Sequence, residues 1–116
     1  MALTIWHNPR CSKSRQALAF FQENGQVITE RRYLDTPPTR AELAEVARLL
    51  GLAPRDMIRS KEDAFREKGL SLDDAPDRLL DAMADTPRLI ERPIVIDHAT
   101  ERAAICRRPE ALQAML

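Results

Sequence analysis

Two kinds of apolar spacing alternate along this chain and divide it into an outer frame and a middle insertion. Ala2-Leu3-Thr4-Ile5-Trp6 is a short apolar run that predicts a strand over residues 2–7. In the segment Ser12 to Asn24, Ala17, Leu18, Phe20 and Phe21 fall on one face at helical spacing, and Gly25 supplies a stop. A second strand is expected over about 26–34. Strand, helix and strand in this order pair in parallel through a right-handed crossover. Asp35-Thr36-Pro37-Pro38 then breaks the pattern.

Thr39-Arg40-Ala41-Glu42 has the spacing of a capping box. It opens a helix with Leu43, Val46, Leu49 and Leu50 inward and Gly51 at its end. Residues 54–86 read as helix in pieces. Pro54 and Pro76 suit helix starts, Gly69 a stop, and Leu79, Leu80 and Met83 mark the buried face of a helix near 76–85, which Thr86-Pro87 ends. Ile94-Val95-Ile96 is a short buried strand. The chain turns over Asp97 to Thr100, and Arg102 to Cys106 pairs back antiparallel. Pro109 opens a terminal helix running to Leu116. The order βαβ, helical insertion, ββα predicts an α/β fold, a thioredoxin-like four-stranded mixed sheet. The expectation is a single domain over 1–116, with residues about 39–86 as an inserted helical lobe.

Composition excludes several functions. A chain of 116 residues supports one domain whose core needs no staples. Its 18 basic and 18 acidic residues cancel, which argues against a nucleic-acid partner. No apolar run approaches the ~18 residues of a membrane span. Met1 leads straight into the first strand, so no leader peptide is expected. The two cysteines, at positions 11 and 106, are not a secreted disulfide framework, and a reducing, cytoplasmic setting is expected.

The candidate chemistry centres on Cys11, in the run His7-Asn8-Pro9-Arg10-Cys11-Ser12-Lys13-Ser14-Arg15 between the first strand and the first helix. The unpaired N–H groups and positive dipole end of a helix N-terminus favour negative charge there, and Arg10, Lys13 and Arg15 add positive charge. Such surroundings lower a cysteine from ~8.5 to roughly 3.5–7.5, so a thiolate nucleophile at neutral pH is predicted. A buried structural cysteine is the plain alternative; the polar neighbours and the strand-to-helix loop weigh against it. The residue three on is Ser14, so there is no local dithiol, and a second thiol must come from Cys106 or from a partner such as glutathione. A phosphatase loop wants arginine six residues after the cysteine, where Ala17 stands. His7, Cys11, His98 and Cys106 match no structural zinc spacing, and no metal is expected. His7 supports the loop or the thiolate electrostatically, or simply ends the strand. Cys106 packs as a small apolar residue, or resolves Cys11 if their Cα atoms lie within roughly 7 Å.

The loop from His7 to Arg15, the segment Tyr33-Leu34-Asp35-Thr36-Pro37-Pro38-Thr39 and the segment Glu91-Arg92-Pro93-Ile94-Val95 together resemble the glutaredoxin-dependent arsenate reductase family, in the short branch with this loop. The resemblance runs from residue 3 to the end. It implies that Cys11 attacks arsenate, with Arg59, Arg92 and Arg107 binding the oxyanion; Arg108 adjoins Arg107, so that last assignment carries a one-residue alternative. It further implies supporting roles for His7, Asn8 and Ser14, and a cis bond at Pro93. The implied reaction has three steps: displacement of hydroxide or water from arsenate by the thiolate, attack by glutathione, and removal of glutathione by glutaredoxin with release of arsenite. Arsenate, glutathione and glutaredoxin are the expected partners, glutathione acts as co-substrate, and no tightly bound cofactor is implied. Two other readings use the same fold: a Spx-like regulator docking on RNA polymerase, whose members often carry a CxxC switch where this chain has Ser14, and a monothiol glutathione-linked oxidoreductase with another substrate.

Overall fold

The computed structural model describes residues 3–116. The elements in chain order are β1 (Leu3–Trp6), α1 (Ser12–Glu23), β2 (Ile28–Arg31), α2 (Arg40–Leu50), α3 (Asp63–Glu67), α4 (Pro76–Asp85), β3 (Ile94–Asp97), β4 (Arg102–Ile105) and α5 (Pro109–Ala114), with 3-10 turns at Pro54–Asp56 and Pro87–Leu89. Ala2, the first residue of the expected opening strand, lies outside the described residues. The described chain divides into two compact units, one of residues 3–36 with Arg92–Leu116, the other Pro37–Glu91.

The first unit holds the mixed, thioredoxin-like sheet, in the order β2-β1-β3-β4. β1 runs parallel to β2, with Leu3 opposite Ile28, and antiparallel to β3, with Ile5 opposite Val95. β3 and β4 form a hairpin with Ile94 opposite Ile105. All four residues of β3 are buried, which is why the segment reads as an unbroken apolar run rather than an alternating one. Leu3, Ile5, Ala17, Phe21, Val95, Cys106 and Met115 make one apolar cluster, so α1 and α5 are fastened to a common sheet face. At the hairpin turn the buried Asp97 carboxylate accepts from the N–H groups of Ala99 at 3.0 Å and Thr100 at 3.4 Å. Burial opposes the charge on Asp97, but the Thr100 hydroxyl and these N–H groups outweigh it and hold the carboxyl below its ordinary value.

β2 is shorter than the expected 26–34. The N–H of Gln26 closes on the Phe21 carbonyl at 2.9 Å as part of the helix exit, and Val27 is left exposed. At the other end, Asp35 and Thr36 donate to the Arg32 carbonyl, so the chain turns directly after Arg31.

In the second unit the capping box forms as its residues dictate. Glu42 N–H donates to the Thr39 hydroxyl at 3.1 Å, and the Glu42 carboxylate accepts from the Thr39 N–H at 3.0 Å. Gly51 closes α2 at φ +68°, in the left-handed region where a side chain would be strained. The inward face of α2 is Leu43, Val46 and Ala47, with Leu49 and Leu50 half-buried. α4 buries Leu79, Leu80, Ala82 and Met83.

Candidate active site

The end of β1 sets the loop. His7 N–H donates to the Arg31 carbonyl at 2.8 Å, carrying the β1–β2 pairing one residue past the strand. Asn8 then turns the chain twice: its side-chain oxygen accepts from Arg10 N–H and its carbonyl from Cys11 N–H, both at 3.0 Å. Cys11 is thereby delivered in an extended conformation (φ −93°, ψ 122°) as the N-cap of α1, where its own carbonyl accepts the Arg15 N–H at 3.0 Å. The Arg15 guanidinium reaches back to the Pro9 carbonyl at 2.9 Å and braces the turn from outside. Sequence reasoning counted Arg15 only as charge; nothing in the pattern marks it as a strut.

Ser14 is the buried hub of this loop, fully closed to solvent. Its hydroxyl lies 2.7 Å from His7 Nδ1 and accepts the Asn8 N–H at 3.0 Å. Burial, followed by the charges of Arg32 and Arg15 against that of Glu30, holds the His7 pKa below its ordinary value, so the ring is neutral at pH 7. One proton arrangement then satisfies both His7 Nδ1 and the Ser14 hydroxyl. The serine O–H donates to Nδ1, its oxygen takes the Asn8 N–H, and the imidazole carries its proton on Nε2. With the proton on Nδ1 instead, the serine oxygen would accept twice and its own proton would lack these partners.

The Cys11 sulfur is half-buried. Burial alone would raise its pKa, yet the net shift is downward. The Ser14 N–H, the Arg92 guanidinium and the Lys13 N–H all act on the sulfur and outweigh the desolvation. The two N–H groups approach as dipoles from the first turn of α1 without closing a formal cap bond.

Arg92 leads into β3, and its bond to Pro93 is cis. Besides its interaction with Cys11, its guanidinium has two nitrogens, Nε and Nη1, that are buried and have no hydrogen-bond partner among the described residues. The Arg92 carbonyl accepts from Arg107 Nη1 at 3.0 Å, which joins the residue after β4 to the same corner. Pro93 is buried, and its carbonyl takes the Cys106 N–H at 2.8 Å. The first unit therefore brings Cys11, His7, Asn8, Ser14, Arg92, Pro93 and Arg107 into one connected corner. Arg59 belongs to the second unit, where its side chain lies 3.3 Å from Glu62 and 3.7 Å from Glu91.

Cys106 sits in the apolar cluster with its sulfur 3.7 Å from the Ala104 carbonyl. Burial pushes its pKa up to about 12, so it stays a thiol at neutral pH. Among the described residues no three His, Cys, Asp or Glu side chains gather into a metal-ligating group, and no helix is long and apolar enough to cross a membrane.

Similarity to known proteins runs through nearly the whole chain. The model of the ArsC family matches residues 6–115. An arsenate reductase from Neisseria meningitidis is 48% identical, over 98% of this chain and 97% of that protein. An arsenate reductase from Escherichia coli is 38% identical, over 98% of this chain and 80% of that protein. A solved arsenate reductase structure from Vibrio cholerae superposes with a TM-score of 0.93 at 40% identity, covering 100% of this chain and 98% of that one.

Proposed function

Since this chain belongs to the ArsC family, we propose that it reduces arsenate to arsenite, with Cys11 as nucleophile and glutathione and glutaredoxin as the source of electrons. The observation that carries this reading is the pairing of a pKa-lowered thiol with an arginine that keeps two buried N–H donors unspent. A buried donor without an acceptor costs about 1–3 kcal/mol, more when charged. A tetrahedral oxyanion beside the sulfur supplies acceptors for a forked, permanently charged group. Arg107, hung on the Arg92 carbonyl, adds a second cation at the same corner.

The reaction runs as thiol chemistry throughout. The Cys11 thiolate displaces hydroxide or water from arsenate, forming a sulfur–arsenic bond. The glutathione thiol then attacks. Two electrons pass to arsenic as the Cys11 and glutathione sulfurs become joined in a disulfide, and arsenite leaves. Net, two thiols and arsenate give one mixed disulfide, arsenite and water. Glutaredoxin removes the glutathione and returns Cys11 to the thiolate. Arg92 acts at two points, holding the thiolate ionised and binding charge on the arsenate oxygens. The neutral His7–Ser14 pair positions the loop and takes no proton in this scheme. A reducing compartment such as the cytoplasm suits this chemistry.

The test is arsenate-dependent NADPH oxidation in a mixture of glutathione, glutathione reductase and glutaredoxin. Wild type turns over and Cys11→Ser does not. Turnover by Cys11→Ser, or NADPH oxidation that ignores arsenate, would overturn the proposal; the second result points to a general glutathione-linked oxidoreductase.

A further inference from the structure

The Cys106 thiol is sealed in the apolar cluster and protonated. On the reading proposed above, the second thiol therefore arrives on a small molecule that must dock beside the Cys11 loop. A cleft of about 470 Å³ flanks that loop. One wall is the loop itself, from His7 through Arg10; the other is Arg32, Leu34 and Asp35, from the turn after β2. Its volume lies within the ~300–1,000 Å³ typical of small organic ligands.

The lining chemistry differs from that around Arg92. Two guanidinium groups and one carboxylate border the same space, and Leu34, 41% exposed, adds an apolar strip. Among the described residues, no hydrogen bond or ion pair engages the side chains of Arg10, Arg32 or Asp35. Several surface charges elsewhere do pair, Arg48 with Glu45 at 2.8 Å, Lys68 with Asp85 at 2.7 Å, and Arg40 with Asp77 at 2.7 Å. Three unpaired charges around one concave space, two positive and one negative, complement a ligand with two carboxylates and one ammonium.

We propose that this cleft binds the thiol co-substrate, a small peptide thiol of the glutathione class, with Arg10 and Arg32 taking its carboxylates and Asp35 its ammonium. Docking there sets the ligand against the Asn8–Arg10 turn, the segment that leads directly into Cys11.

The inference is tested without arsenate, by thiol–disulfide exchange. The Cys11 thiolate attacks one sulfur of glutathione disulfide; a Cys11–glutathione bond forms, the original S–S bond breaks, and one glutathione leaves as thiolate. The rate is followed by mass spectrometry and compared with that for 2-hydroxyethyl disulfide, which offers the same bond without charge. Arg32→Ala slows exchange with glutathione disulfide about fivefold, the effect of losing one partly exposed charge pair. It leaves exchange with the uncharged disulfide within about twofold, and added salt shrinks the difference. Asp35→Asn acts in the same direction. Equal slowing with both disulfides, or with neither, would sink the cleft as a binding site. Arsenate turnover is measured in parallel. Discrimination between the disulfides without arsenate turnover keeps the cleft and removes the arsenate reading; arsenate turnover without discrimination does the reverse.

Discussion

Replacing Arg92 with alanine separates the forces that hold the Cys11 sulfur. In the native corner, burial raises the thiol pKa, and the Ser14 N–H, the Arg92 guanidinium and the Lys13 N–H lower it. The substitution removes a full charge and a hydrogen bond and leaves the two backbone dipoles in place. An opposite charge within ~4–6 Å favours an ionised group by about one to three pKa units. Cys11 is half-buried, so water and salt screen part of that, and the lower end applies. The rate of iodoacetamide alkylation against pH is the assay. On the acid limb of the profile Arg92→Ala reacts about tenfold more slowly than wild type; Arg92→Lys, which keeps the charge but not the fork, falls between. The fold should survive, because Nε and Nη1 make no bonds to lose. Without oxyanion the variant gives up only the Arg92 interaction with the Cys11 sulfur, and the relief of two buried donors is worth up to about 1–3 kcal/mol each. Identical pH profiles for wild type and Arg92→Ala would refute the argument and assign the thiolate to the helix N-terminus alone. The same pKa shift links to stability. The folded state holds this thiol below its unfolded value, so its stabilising contribution is present above the unfolded pKa and is lost as pH falls through the folded one. Urea titrations at pH 9 and pH 6 should show that loss in wild type and not in Cys11→Ser.

Ser14→Ala should cost about 1–3 kcal/mol in denaturant unfolding, because it strands the half-buried Asn8 N–H and the buried His7 Nδ1 at once. Its alkylation profile should shift less than that of Arg92→Ala, since the Ser14 backbone N–H that acts on the sulfur remains. Cys106→Ala should retain arsenate turnover. In native wild type, one thiol per chain should react with iodoacetamide at neutral pH, since burial keeps Cys106 a thiol with a pKa of about 12.

Much of this was legible in the residues because the relevant forces are local. The 3.6-residue spacing of Ala17 and Phe21 fixed which face of α1 is buried, and the placement of Cys11 before Ser12 fixed it as the N-cap. Thr39 and Glu42 announced α2 through hydrogen bonds that span three residues. What stayed hidden depends on groups far apart in sequence. A serine in the first turn of a helix reads as solvated; only the approach of His7 from the end of β1 buries Ser14. The unspent nitrogens of Arg92 are a property of what surrounds them, and no arginine in a sequence displays that. The cleft walls join residues 7–10 to residues 32–35, two short segments that only the parallel pairing of β1 with β2 sets side by side. β2 was expected too long because Val27 looks strand-like, while the exit of α1 claims the backbone next to it.

The inward-facing hydroxyl at position 14 has a consequence for redox engineering. That position is where a two-cysteine redox loop would carry its resolving sulfur, and here it is a strut that ties the turn to the strand before it. Grafting a thiol onto it would dismantle the scaffold before it installed any self-sufficient couple. On the proposed reaction the cycle would then depend on the ambient thiol pool, and its throughput would rise and fall with the reducing state of its surroundings.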